Sequence, residues 1–127
     1  MPISPTFSRT NSAGDGSVVQ FVWTLVTATP DGAPIEFTEW GDVTWVATGT
    51  WDGATLKIEA SADGTTWPGP GGYLYNAAGG AEASAAANKV FTTIERPRYM
   101  RPVLTVTGTG ASVVVTATLR RANPMRA

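Results

Sequence analysis

The chain contains no cysteine and no histidine. The first absence excludes disulfides and thiol nucleophiles. Together they exclude zinc sites of the usual ligand set and any Ser-His-Asp triad. Charge is scarce as well: only 15% of residues carry it, against roughly a quarter in an average domain, and Thr, Gly, Ala and Ser fill the difference. Long apolar runs are also missing. Nothing approaches 18 consecutive apolar residues, so no helical membrane span is expected. The opening "MPISPTFSRTNSAGDG" lacks the apolar region of a secretory signal, which points to assembly in the cytoplasm. The formal net charge of -1 lacks the basic surplus of a nucleic-acid binder. Nucleic acid and membrane are therefore not expected as partners, and no cofactor is expected.

What remains is a chain of 127 residues, 43% of them hydrophobic, enough for one domain with a core. Its charge is divided along its length. From Met1 to Asp63, Arg9 and Lys57 stand against Asp15, Asp31, Glu36, Glu39, Asp42, Asp52, Glu59 and Asp63. From Arg96 onward come Arg96, Arg98, Arg101, Arg120, Arg121 and Arg126 with no acid. Either the halves pair inside one fold, or an acidic face meets a basic face of a neighbouring subunit.

Residues 1–17, with Pro2, Pro5, Gly14 and Gly16, predict an extended N-terminal arm. Strands follow. Residues 18–29 place Val19, Phe21, Trp23 and Leu25 on one face, while Val22 and Val26 leave the other partly covered. A short strand is expected over 33–40 and another over 42–51. Asp52-Gly53 is a two-residue hairpin signal, because both central positions of a type I′ turn need positive φ. Residues 54–61 then alternate, with Leu56, Ile58 and Ala60 inward and Lys57, Glu59 and Ser61 outward.

Residues 68–88 form a long Gly/Ala-rich loop, with a helical turn conceivable over Ala83 to Ala87. Strands over 89–95, 98–108 and 112–121 close the fold. Pro102 moves its segment toward an edge or a bulge. In the last strand Val113, Val115, Ala117 and Leu119 face one way, and Thr116, Thr118 and Arg120 the other. The spacing predicts an all-β fold: a single antiparallel β-sandwich or jelly-roll-like domain over 18–121, with residues 122–127 as a tail.

Little chemistry is assembled by these residues. "SADGTTW" (61–67) resembles the Asp-box of sialidase-like propellers, one residue short between Asp63 and Gly64 and present once. There the box stabilises a turn, and the same is expected here: Asp63 accepting backbone N–H groups, Gly64 supplying positive φ, Trp67 packing beside the strand. Glu36, Glu39, Asp42 and Asp52 offer carboxylates for glycoside hydrolysis only in principle. No catalytic, metal or cofactor residue is assigned. Of the five tryptophans, Trp23, Trp45 and Trp51 are expected in the core, leaving Trp40 and Trp67 as a candidate glycan platform.

"GTWDGATLKIEASADGTTW" and "ERPRYMRPVLTVTGTGASVVVTATLRR" together resemble small β-domain structural proteins of tailed bacteriophages. The matching positions are Gly49, Thr50, Trp51, Gly53, Ser61, Asp63, Gly64, Thr66, Trp67, Tyr99 and Arg101, within residues 43–121. The resemblance implies a non-enzymatic virion component: a capsid decoration (cement) protein on the phage head, or a head or tail fibre module. Implied partners are the major capsid protein and other copies of this chain, a trimer being one candidate state. The partner-binding residues would be Ile3, Phe7 and Arg9 of the arm, Tyr73 and Tyr75 of the loop, and Arg96, Arg98 and Arg101. The alternative is a carbohydrate-binding or adhesin module using Trp40 and Trp67.

Overall fold

The computed structural model describes residues 2–9, 18–38, 40–67, 74–75, 81–82, 84–93 and 97–121. The described elements are ten strands: β1 Thr6–Arg9, β2 Val18–Val26, β3 Ile35–Glu36, β4 Trp40–Thr50, β5 Thr55–Ser61, β6 Leu74–Tyr75, β7 Ala81–Glu82, β8 Lys89–Thr93, β9 Tyr99–Thr105 and β10 Ser112–Arg121. They form two antiparallel sheets. The larger has the order β1-β2-β10-β4-β8-β6-β7, and the smaller β3-β9-β5. The predicted β-sandwich is the fold observed.

Period-2 alternation builds the core. Sheet 1 contributes Val19, Trp23, Leu25, Val43, Trp45, Ala47, Phe91, Val113, Val115, Ala117 and Leu119. Sheet 2 answers with Ile35, Leu56, Ile58, Met100 and Leu104. Burying each of the fully enclosed indoles, Trp23 and Trp45, contributes roughly 4–6 kcal/mol of gross transfer energy. Their N–H groups need acceptors once water is excluded. Trp23 Nε1 donates to the Ala33 carbonyl at 3.0 Å, and Trp45 Nε1 to Thr93 Oγ1 at 3.2 Å. An aromatic row crosses sheet 1 on this inner side: Phe7, Phe21, Trp23, Trp45 and Phe91 are linked by ring separations of 5.1, 6.3, 6.0 and 6.3 Å.

Several local expectations are corrected. Asp52 (φ 47°) and Gly53 (φ 78°) do adopt the positive-φ turn, closed by Ala54 N–H donating to the Trp51 carbonyl at 2.8 Å. The strands it joins do not pair, however: β4 lies in sheet 1 and β5 in sheet 2, because β10 occupies the flank of β4 over ten residue pairs. Pro102 sits in β9, the middle strand of sheet 2. Its carbonyl accepts the Gly32 N–H at 2.8 Å, so its missing donor faces the irregular 30–33 segment and spares the ladder to β5. Gly32 is required there, since a Cβ would lie 2.8 Å from Pro102 and 2.9 Å from Trp23.

Ser61 is buried rather than outward, because its hydroxyl is used inside the following turn. Trp51 is only half-buried at the core rim, where its Nε1 donates to Asn88 Oδ1 at 2.9 Å. The 33–40 strand shrinks to Ile35–Glu36, and Trp40 begins β4. Ala85, placed in a conceivable helical turn, instead forms an antiparallel bridge to Leu56. The 122–127 tail lies outside the described residues.

Candidate functional site

The arm expected over 1–17 is described over residues 2–9, where it follows the chain's own domain. Ile3 N–H donates to the Asp31 carbonyl at 2.9 Å, and the Ile3 carbonyl accepts Ala33 N–H at 2.7 Å. The Ile3 side chain packs half-buried against the core. Phe7 remains 47% exposed, its ring beside that of Phe21. Arg9 pairs through its backbone with Val19. Tyr75 is placed by its backbone in β6, opposite Ala81 and Thr92. Tyr73 and Arg96 lie outside the described residues.

Among the described residues, three of the late arginines meet acids from the first half of the chain. Arg98 reaches Glu36 at 3.1 Å, Arg101 reaches Glu59 at 2.8 Å, and Arg120 reaches Asp42 at 3.3 Å. The opposed charges thus close on one another within one fold. The Arg98 hydrogen bond to Glu36, with Tyr99 as a further charge partner, raises the guanidinium pKa. The pairs differ in shielding: Arg98 and Glu36 side chains are 57% and 44% exposed, whereas Arg101 and Glu59 are 18% and 16% exposed.

The shielding of Arg101 comes from the SADGTTW segment. Ser61 Oγ donates to Asp63 Oδ1 at 2.9 Å and accepts the Gly64 N–H at 2.9 Å. Asp63 Oδ1 accepts N–H groups from Thr66 at 2.8 Å and Thr65 at 2.9 Å. These bonds, Thr66 and Thr65 first and Ser61 next, hold the Asp63 carboxyl well below the usual carboxylate range. The turn so fixed lays Gly64 against the Tyr99 ring and Trp67 under Arg101, whose Cζ is 4.2 Å from the ring centroid. It is a clasp across β9.

The two tryptophans proposed as a platform are both half-buried and each has a guanidinium over its ring: Arg101 on Trp67 and Arg121 on Trp40, the latter at 5.1 Å. The carboxylates weighed for hydrolysis are not brought together. Glu36 and Asp42 pair with different arginines, and Asp52 Oδ2 accepts the Gly110 N–H at 2.8 Å. Glu39 lies outside the described residues. A shallow groove of about 320 Å³ is lined by Ala60, Ser61, Ala62, Pro97 and Arg98.

The outer faces of the two sheets contrast. Sheet 2 presents Lys57, Glu59, Tyr99 and Arg101, the last two under its clasp. Sheet 1 presents a row that register carries across five strands, Thr6–Val22–Thr116–Val46–Val90, with Thr24, Thr44, Thr48, Val114 and Thr118 on adjacent rows. None of these ten is charged, and Val90 is 56% exposed. Sequence reading assigned no role to this face, although the alternation of Thr with Val at outward positions of β2, β4 and β10 is its signal.

The crystal structure of the SPBc2 prophage-derived protein YomS is similar to this chain, with a TM-score of 0.58 at 13% sequence identity, covering 80% of this chain and 93% of that one. No protein-family model and no curated protein sequence matches. The likeness to the prophage-derived structure is one of fold: two antiparallel sheets enclosing a single core.

Proposed function

We propose that this chain is a non-enzymatic structural protein of a bacteriophage particle, and within that class a capsid decoration protein. It would bind the outside of the phage head together with other copies of itself and stabilise the shell by bridging major-capsid subunits. It would be assembled in the host cytoplasm and reside in the virion. The observation that carries the reading is the fold likeness to a prophage-derived protein over most of both chains. The chemistry of the surface supports it: three carboxylate–guanidinium pairs close within the domain, and the middle of the sheet 1 face is built of Thr and Val. Such a surface suits contact rather than turnover. A glycan-binding role has less support, because an arginine lies over the ring of each candidate tryptophan.

The experiment is quantitative mass spectrometry and imaging of purified particles, followed by removal of the protein. On this reading it is present in many copies on the head, and particles stripped of it lose infectivity at lower temperature or salt than intact ones. Absence from particles defeats the reading, and stripped heads as robust as intact ones defeat the decoration role.

A further inference from the structure

We infer that the outer face of sheet 1 is a self-association surface, on which two copies of this chain pack sheet to sheet around a two-fold axis. The inference goes beyond the phage reading and stands without it.

The face spans five strands at about 4.8 Å; β2, β10 and β4 each give some seven residues at about 3.4 Å, while β1 and β8 give four and five. That is on the order of 500 Å² per copy before corrugation is counted, so two tiles bury about 1,000 Å², the size of a weak interface. The area is reached only if the whole tile is covered. Another sheet face does this, stacking at about 10 Å.

Charge narrows the choice of occupant. A partner presenting ionised groups here would bury them opposite Thr and Val with nothing to pair them, at a cost several-fold in excess of what the contact returns. The ten Thr and Val residues of a second copy present none, and the charges of its face are confined to the Asp42–Arg120 pair at one end. Its central row is also close to palindromic. With the axis running along β10, Thr116 meets Thr116 of the second copy, Val22 meets Val46, and Thr6 meets Val90. Threonine hydroxyls at the axis can hydrogen-bond one another, and the valines close around them. At one end of the tile the axis brings Arg120 toward Arg120 of the second copy, each keeping its own Asp42 as counter-ion at 3.3 Å.

Sedimentation equilibrium on the full chain tests this. The expected species has twice the 13.3 kDa chain mass, with dissociation in a roughly micromolar range. Thr116→Lys places like charges across the axis and is expected to weaken association roughly a hundredfold. Mixing it with Thr116→Glu is expected to restore the dimer, which a merely structural defect would not allow. Val90→Lys changes a position already 56% exposed and so keeps the fold; it is expected to weaken association roughly tenfold. A wild-type chain that remains monomeric up to roughly millimolar concentration, or forms a trimer, overturns the inference. So do variants that associate like the wild type. A monomer that attaches to capsid shells through Thr116 also overturns it, giving the face to a different protein.

Discussion

The carboxylate of Asp52 accepts the backbone N–H of Gly110 at 2.8 Å, fastening the turn that leaves β4 to the turn that enters β10. Thr107 Oγ1 adds a bond to the Gly53 carbonyl at 3.3 Å. Both turns carry the chain from one sheet to the other, so this contact holds the two layers together at one end of the sandwich. Asp52→Ala removes the acceptor and puts an alanine at φ 47°. Loss of about 1–3 kcal/mol is expected in urea unfolding. Asp52→Asn, which tolerates the same φ, should lose less.

The Asp63 clasp makes stability depend on acid. Its carboxyl pKa is lower in the folded chain than the ordinary aspartate value of about 3.9. The unfolded chain therefore binds a proton first as pH falls. The contribution is complete above that value and drains away as pH drops toward the folded pKa. Urea midpoints measured from roughly pH 6 to pH 2 should fall more steeply for the wild type than for Asp63→Asn. Parallel curves would mean the clasp carries no such linkage.

The ion pair of Arg101, on β9, and that of Arg98, just before it, should not be equal. Arg101 is shielded by Trp67 and held to Glu59 through both Nε at 3.0 Å and Nη2 at 2.8 Å. Arg101→Ala strands a carboxylate in poor contact with water, and about 2 kcal/mol of lost stability is expected. Tryptophan emission should shift to the red as Trp67 is uncovered. Arg98→Ala, by contrast, should leave the unfolding midpoint almost unmoved, since water screens its pair with Glu36.

Thr93 is a buried hydroxyl that serves a buried indole. It accepts from Trp45 Nε1 and lies 3.8 Å from Met100 Sδ. Thr93→Val keeps the shape and removes the acceptor, so about 1–3 kcal/mol is expected to be lost, measured by thermal or denaturant unfolding. In a Trp45→Phe background, where no N–H is left wanting, the same substitution should cost much less.

These residues also show what a sequence can and cannot reveal. Alternation exposed the inner faces of β2, β5 and β10, because side-chain direction along a strand follows from period 2 alone. Asp52-Gly53 reported its own φ angles faithfully. Whether the two strands stay paired afterward is decided by β10, sixty residues away, and no local pattern carries that. Pro102 misled for a similar reason: a missing donor excludes one ladder contact, and only the partner on that side determines whether it matters. Ser61 looked outward by parity, yet its hydroxyl serves the next turn. The pairing of acidic and basic halves was one of two readings open from charge alone, and three ion pairs among the described residues realise it. The Thr/Val face stayed unread because neither residue type advertises contact singly; it becomes visible when register aligns them across strands.

One placement has a bearing on how the molecule is made. β10, the last of the described strands, lies between β2 and β4 and pairs with both along nearly its whole length. A ribosome releases β2 and β4 long before it releases the strand that joins them. The main sheet must therefore wait for residue 121, and a prematurely terminated product presents two unpaired β-rich edges to its neighbours. Folding that depends on so distant a pairing is slow for a chain of this size. Chaperone demand, inclusion-body formation and sensitivity to C-terminal truncation should all trace to that single late-arriving segment.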